Sequence, residues 1–204
     1  MWVTIGIVSK FFYLLGNAAV VGGLPSYILL QDFSRQLLMK VLLYMALGAL
    51  VGVIASACYF LAQVGAINDA GVAGMLDWSM ARILADTNLG LAAAWRIAGL
   101  FLGLLVVFAL AWKGLSLQFL TPQAFGIAAL SLLIFGSLAT SYPLVGHVST
   151  LSLQFKALLS VHVLAVLLWI GSLLPLWIAC SDGSPEELKL IMERYGKVAL
   201  VIVL

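Results

Sequence analysis

Apolar residues in this chain run in blocks of twenty or more, and few charges interrupt them. A helix needs about 20 residues to cross a hydrocarbon core, and it satisfies its own backbone groups in doing so. Neither strand alternation nor a heptad repeat breaks the pattern, so lipid is the solvent it specifies. With 64% hydrophobic and 9% charged residues, the chain lies far outside the range of soluble domains. The expected fold is all-α, a polytopic transmembrane helix bundle forming one domain over residues 1–204. Trp2 to Leu30 is too long for a signal peptide and lacks a basic leader with a small-residue cleavage site, so it reads as a retained first helix.

Hydropathy places five complete spans at 4–30, 37–66, 88–112, 123–147 and 153–180, with the start of a sixth near Lys197. The run Val198 to Leu204 is too short to cross, which implies that further C-terminal helices are missing. Arg35, Lys40, Lys113, Lys189, Arg194 and Lys197 flank the connections after the first, third and fifth spans. The other side holds Lys10, Arg82 and Lys156, so the positive-inside rule puts the N-terminus outside. In a bacterium, connections 67–87 and 148–152 would then face the periplasm and Ser181 to Lys197 the cytoplasm. Leu76, Met80, Ile83 and Leu84 repeat at helical spacing, which suggests a short interfacial helix between spans two and three.

A net charge of +2 spread over short loops gives no nucleic-acid surface. Cys58 and Cys180 fall toward opposite membrane faces, beyond disulfide reach. No phosphate-binding loop, zinc-protease motif or nucleophile triad occurs, so neither an enzyme nor an ATP-driven pump is expected.

Ionisable groups at membrane depth are costly, and each is a functional candidate. Gly136, Thr140, Pro143 and His147 follow at helical spacing and should share an inward face of the fourth span, with Pro143 opening the backbone near its end. His162, two to three turns into the fifth span with Trp169 on the same face, should also point into the bundle. Two imidazoles near one vestibule make a metal constellation, and imidazole is a common copper ligand. The depth difference makes them successive stations or one site; the bland alternative is a packed His162 and a solvated His147. Arg96, next to Trp95, shares a face with Gly99 and Gly103 and should point into protein, setting the field of a cavity or serving as an anchor. Met75 and Met80 are soft donors suited to Cu(I), although methionine more often packs. Asn17 is expected to bond across helices and Lys10 to snorkel.

The stretch Gln154 to Leu176, with His162 followed by Trp169-Ile170-Gly171 and Leu174-Pro175, resembles the signature of the copper resistance protein D family, CopD and PcoD. Gly146-His147 is similar to that family's Gly-His element, and Thr87-Asn88-Leu89-Gly90 with Trp95-Arg96 to its Thr-x-x-Gly and arginine stretch. Where the family pattern has a histidine in the first helix, this chain has Phe11, Phe12 and Tyr13. The resemblance implies a bacterial inner-membrane protein of about eight helices, active in copper uptake or tolerance. Its partners would be a small periplasmic copper-binding protein of the CopC type and, where it self-associates, its own copies. His147 and His162 would be the copper-handling residues. A membrane redox or assembly protein holding copper or a single haem, and a scaffold for the chaperone, are the competing classes; two histidines in total exclude a di-haem carrier.

Overall fold

The computed structural model describes residues 1–113, 122–182 and 184–203. They form α1 (Trp2–Leu29), α2 (Arg35–Asn68), α3 (Trp78–Ala85), α4 (Asn88–Lys113), α5 (Pro122–Ser141), α6 (Leu153–Asp182) and α7 (Pro185–Val203). Two 3-10 turns, Val72–Leu76 and His147–Thr150, complete an all-α bundle. α1, α2, α4 and α6 are each long and apolar enough to cross a membrane, and α5 adds the shorter apolar stretch Phe125–Ser141.

α1 is the hub, touching α2, α4, α5, α6 and α7. Small residues make this possible, because between lipid-embedded helices close backbone packing replaces the hydrophobic effect as the driving force. A Cβ on Gly16 would lie 2.5 Å from the Gly48 carbonyl oxygen and from the Gly52 Cα, so α1 and α2 cross backbone to backbone there. On the other side of α1, a Cβ on Gly171 would run into the Ala18 carbonyl, and one on Gly22 into the Gly171 backbone. This second crossing fixes the rotation of α6: Leu167, Gly171, Pro175 and Ala179, each four residues apart, are its buried stripe. Pro175 has no N–H to offer the Gly171 carbonyl four residues back. The Tyr44 hydroxyl of α2 donates to that carbonyl instead, at 3.1 Å, and so ties α2 to α6.

Three boundaries differ from the sequence expectation. The fourth span stops at Ser141 rather than continuing to 147: Pro143 disfavours the helical conformation just before it, and Gly146 turns the chain at φ +81°. Helix α7 begins at Pro185, well before Lys197, because Ser184 and Glu187 form a reciprocal cap in which each backbone N–H bonds the other's side chain, at 2.8 and 3.4 Å. The segment expected as one interfacial helix is divided at Asp77, which caps α3 and leaves a 3-10 turn before it.

Candidate functional site

A polar centre lies where α1, α2, α4 and α5 meet, built around Arg96. The residue is 1% exposed, as Gly99 and Gly103 on its face require: a Cβ on Gly99 would lie 2.6 Å from Ser137 Oγ, and one on Gly103 2.8 Å from Val20. The guanidinium stacks over the Tyr13 ring at 4.5 Å and sits 5.8 Å from that of Tyr59, while its Nε donates to Ser141 Oγ at 3.3 Å. Asn17, one turn from Tyr13, donates to the Tyr142 hydroxyl at 2.7 Å, which is the expected bond across helices. Ser56, three residues before Tyr59, and the Asn17 carbonyl oxygen are fully buried with no partner among the described residues. No described carboxylate pairs with Arg96, so the centre holds a positive charge met by aromatic faces and hydroxyls.

The two histidines stand apart from this centre. His147 opens the second 3-10 turn and is exposed, not on a face of α5. Gly136 and Thr140 are also exposed, and α5 turns Ile134, Ser137, Leu138 and Ser141 inward. His162 does not point into the bundle. It is exposed, because the Gly171 crossing turns the 167–171–175–179 stripe onto α1 and the other side of α6, with His162, Val161 and Trp169, away from it. The turn carrying His147 leads into α6, whose Ser160 hydroxyl donates to the Ala139 carbonyl of α5 at 3.2 Å; His162, two residues on, lies on the opposite side of α6 from that contact. Among the described residues, no group of three or more His, Cys, Asp or Glu is arranged to hold a metal ion. These two imidazoles therefore form no closed ligand set, and an ion between them needs donors from elsewhere.

Trp95 is exposed beside the buried Arg96. Trp169, 61% exposed, borders a mostly apolar cavity of about 210 Å³ between α1, α6 and α7 instead of a central one. Pro143 is buried in the turn after α5, where it stops a helix rather than kinking one. Met75 and Met80 fall on separate elements, the 3-10 turn and α3, and both are half-buried. Between them, Asp77 Oδ1 accepts from the Ser79 and Met80 amides at 2.9 and 3.1 Å, and Oδ2 from Asn68 at 2.9 Å. The hydrogen bond from the Ser79 side chain, followed by that from the Met80 amide, holds the Asp77 carboxyl below its usual range. Cys58 and Cys180 are both free thiols.

Arg96 and Asn17 were legible from their cost in a span, whereas Tyr13, Ser56, Tyr59, Ser141 and Tyr142 were not, since only the packing of four separate helices assembles them. The weak signal was the polar stripe Ser56, Tyr59 and Gln63 of α2. No family model, curated protein or solved structure matches the chain.

Proposed function

We propose that this chain handles copper at a bacterial inner membrane, in uptake or tolerance, with its N-terminus outside and α1, α2, α4, α5 and α6 as its five spans. One observation carries the reading. The three stretches that resemble the copper resistance protein D family lie at the same end of the bundle: Thr87–Arg96 at the start of α4, Gly146-His147 after α5, and His162 in the first half of α6. The positive-inside bias makes that end periplasmic.

The thirty residues of α6 extend about 45 Å, longer than a hydrocarbon core of about 30 Å. Centred on the core, α6 enters lipid near Leu158, with His162 about 6 Å deeper. An imidazole facing outward at that depth leaves a donor and an acceptor unsatisfied by acyl chains, so a metal ion or polar partner is favoured there. Copper would meet His147 first and His162 second. A route through the Arg96 centre is disfavoured: a monovalent cation about 8 Å from the guanidinium is repelled by about 2 kcal/mol at an effective dielectric near 20.

Alanine at His162 is expected to lower cellular copper accumulation several-fold at an unchanged protein level in the membrane, and alanine at His147 to do so to a smaller extent. Unchanged copper in both variants would overturn the reading. The outward orientation of His162 favours a second reading, in which the imidazole reaches a haem or static copper shared with another chain. A Soret band in the purified protein would select that reading.

A further inference from the structure

Helix α7 is amphipathic and packs on α6 and α1. Ile191 and Tyr195 are buried, whereas Glu186, Glu187, Lys189, Glu193 and Lys197 are exposed. The Ser184–Glu187 cap starts α7 as a helix of its own rather than a continuation of α6.

The seat of α7 is loose beside the crossings that α1 makes with α2 and α6. Beneath it is the cavity of about 210 Å³, bordered by Pro25 and Leu29 of α1, Leu173 and Leu176 of α6, and Met192 and Tyr195 of α7. A Cβ on Gly196, which also borders this cavity, would meet nothing within 4 Å, whereas one on Gly16, Gly22 or Gly171 would run into backbone. Backbone contact therefore fixes α2 and α6 on α1 and leaves α7 to its side chains.

One side chain joins α7 to the end of α1. Arg194 donates through Nη1 to the Leu29 carbonyl at 2.7 Å and through Nη2 to Asp32 Oδ2 at 2.8 Å, and its guanidinium lies 5.7 Å from the Phe33 ring. The Leu29 carbonyl belongs to the last turn of α1, where no amide of the helix remains to pair it, so Arg194 also caps α1. The Asp32 side chain is 64% exposed, which screens the ion pair and makes the charged hydrogen bond to Leu29 the stronger contact. The Lys197–Glu193 pair, at 3.5 Å, lies within α7 itself.

We infer that α7 is a lid, pivoting at the Ser184–Glu187 cap and latched to the end of α1 by Arg194, and that its release opens the cavity between α1, α6 and α7. The histidines take no part, so the lid stands independently of the copper reading.

The test uses the whole chain in lipid vesicles, carrying Cys58→Ser and Cys180→Ser, with spin labels on Met39→Cys in α2 and Lys197→Cys in α7. Lys197 is about 18 Å along α7 from Pro185, so a swing of the helix lengthens the distance between the labels. Pulsed electron resonance should find one main distance with the latch intact and a minor longer one. Arg194→Gln should raise the longer population about tenfold, the effect of one charged hydrogen bond, and Asp32→Asn about twofold, that of an exposed ion pair. Glu193→Gln, which removes a charge of α7 outside the latch, should leave it unchanged. In a chain that keeps its own cysteines, Arg194→Gln should also quicken alkylation of Cys180, which lies near Tyr195, and leave that of Cys58 as it is. Should Arg194→Gln fail to fold, Asp32→Asn carries both measurements. Distances the same in the latch variants as in the parent, an equal rise in Glu193→Gln, or an unchanged Cys180 rate would each overturn the proposal.

Discussion

Arg96 and His162 show what a single position in a span reveals. Both were conspicuous because charge and imidazole are rare at membrane depth. The direction of Arg96 was also legible, since Gly99 and Gly103 mark a face that must pack closely, and the residue is 1% exposed. His162 had no such local marker. Its orientation is set by Gly171, nine residues on, and by the α1 backbone that Gly171 meets. A buried guanidinium with no carboxylate partner among the described residues costs folding energy that two tyrosine rings and one serine hydroxyl only partly offset. Arg96→Met, similar in volume and uncharged, is therefore expected to unfold within about 1 kcal/mol of the unaltered protein or to be more stable. Thermal unfolding in detergent measures this, and a loss of 3 kcal/mol or more would make the guanidinium a structural clamp.

Helix positions followed from hydropathy, whereas their ends and rotations depended on single residues. The reciprocal Ser184–Glu187 cap was present in the sequence as a start signal for α7, and Pro143 with Gly146 as a stop signal for α5. The α1–α6 crossing was not legible, because nothing local pairs Gly22 with Gly171. Leu at Gly171 would force the Ala18 backbone away and is expected to cost about 3 kcal/mol, at the upper end for an overpacked core, and to break the Tyr44 bond. A fall in unfolding temperature with loosened α6 protection from hydrogen exchange would register it; an unchanged value would contradict the close crossing. At the other rim, α3 depends on the ionised Asp77 cap. The carboxyl titrates lower when folded than when unfolded, so its contribution is complete above the ordinary carboxylate range and is lost as pH falls through the depressed folded value. Hydrogen exchange across Ser79–Ala85 should quicken in Asp77→Ala at pH 7, and the variant should be insensitive to acid where the parent is not.

Across the whole molecule, positive charge is buried in the centre and imidazole is carried on the edge. The membrane class was fixed by apolar run length, a property of the sequence that needs no packing information. The internal arrangement was hidden, because five helices contribute to it through rotations that no single run encodes. The resulting division is chemically consistent: the Arg96 centre repels cations, and both imidazoles are exposed on the outside. The most direct test is copper bound per purified chain, measured by elemental analysis together with X-ray absorption, for the parent and His162→Ala. Near-stoichiometric copper with nitrogen ligands is expected in the parent, and a loss of most of that copper in the variant. Equal copper in both proteins, or a first shell of sulfur alone, would contradict it.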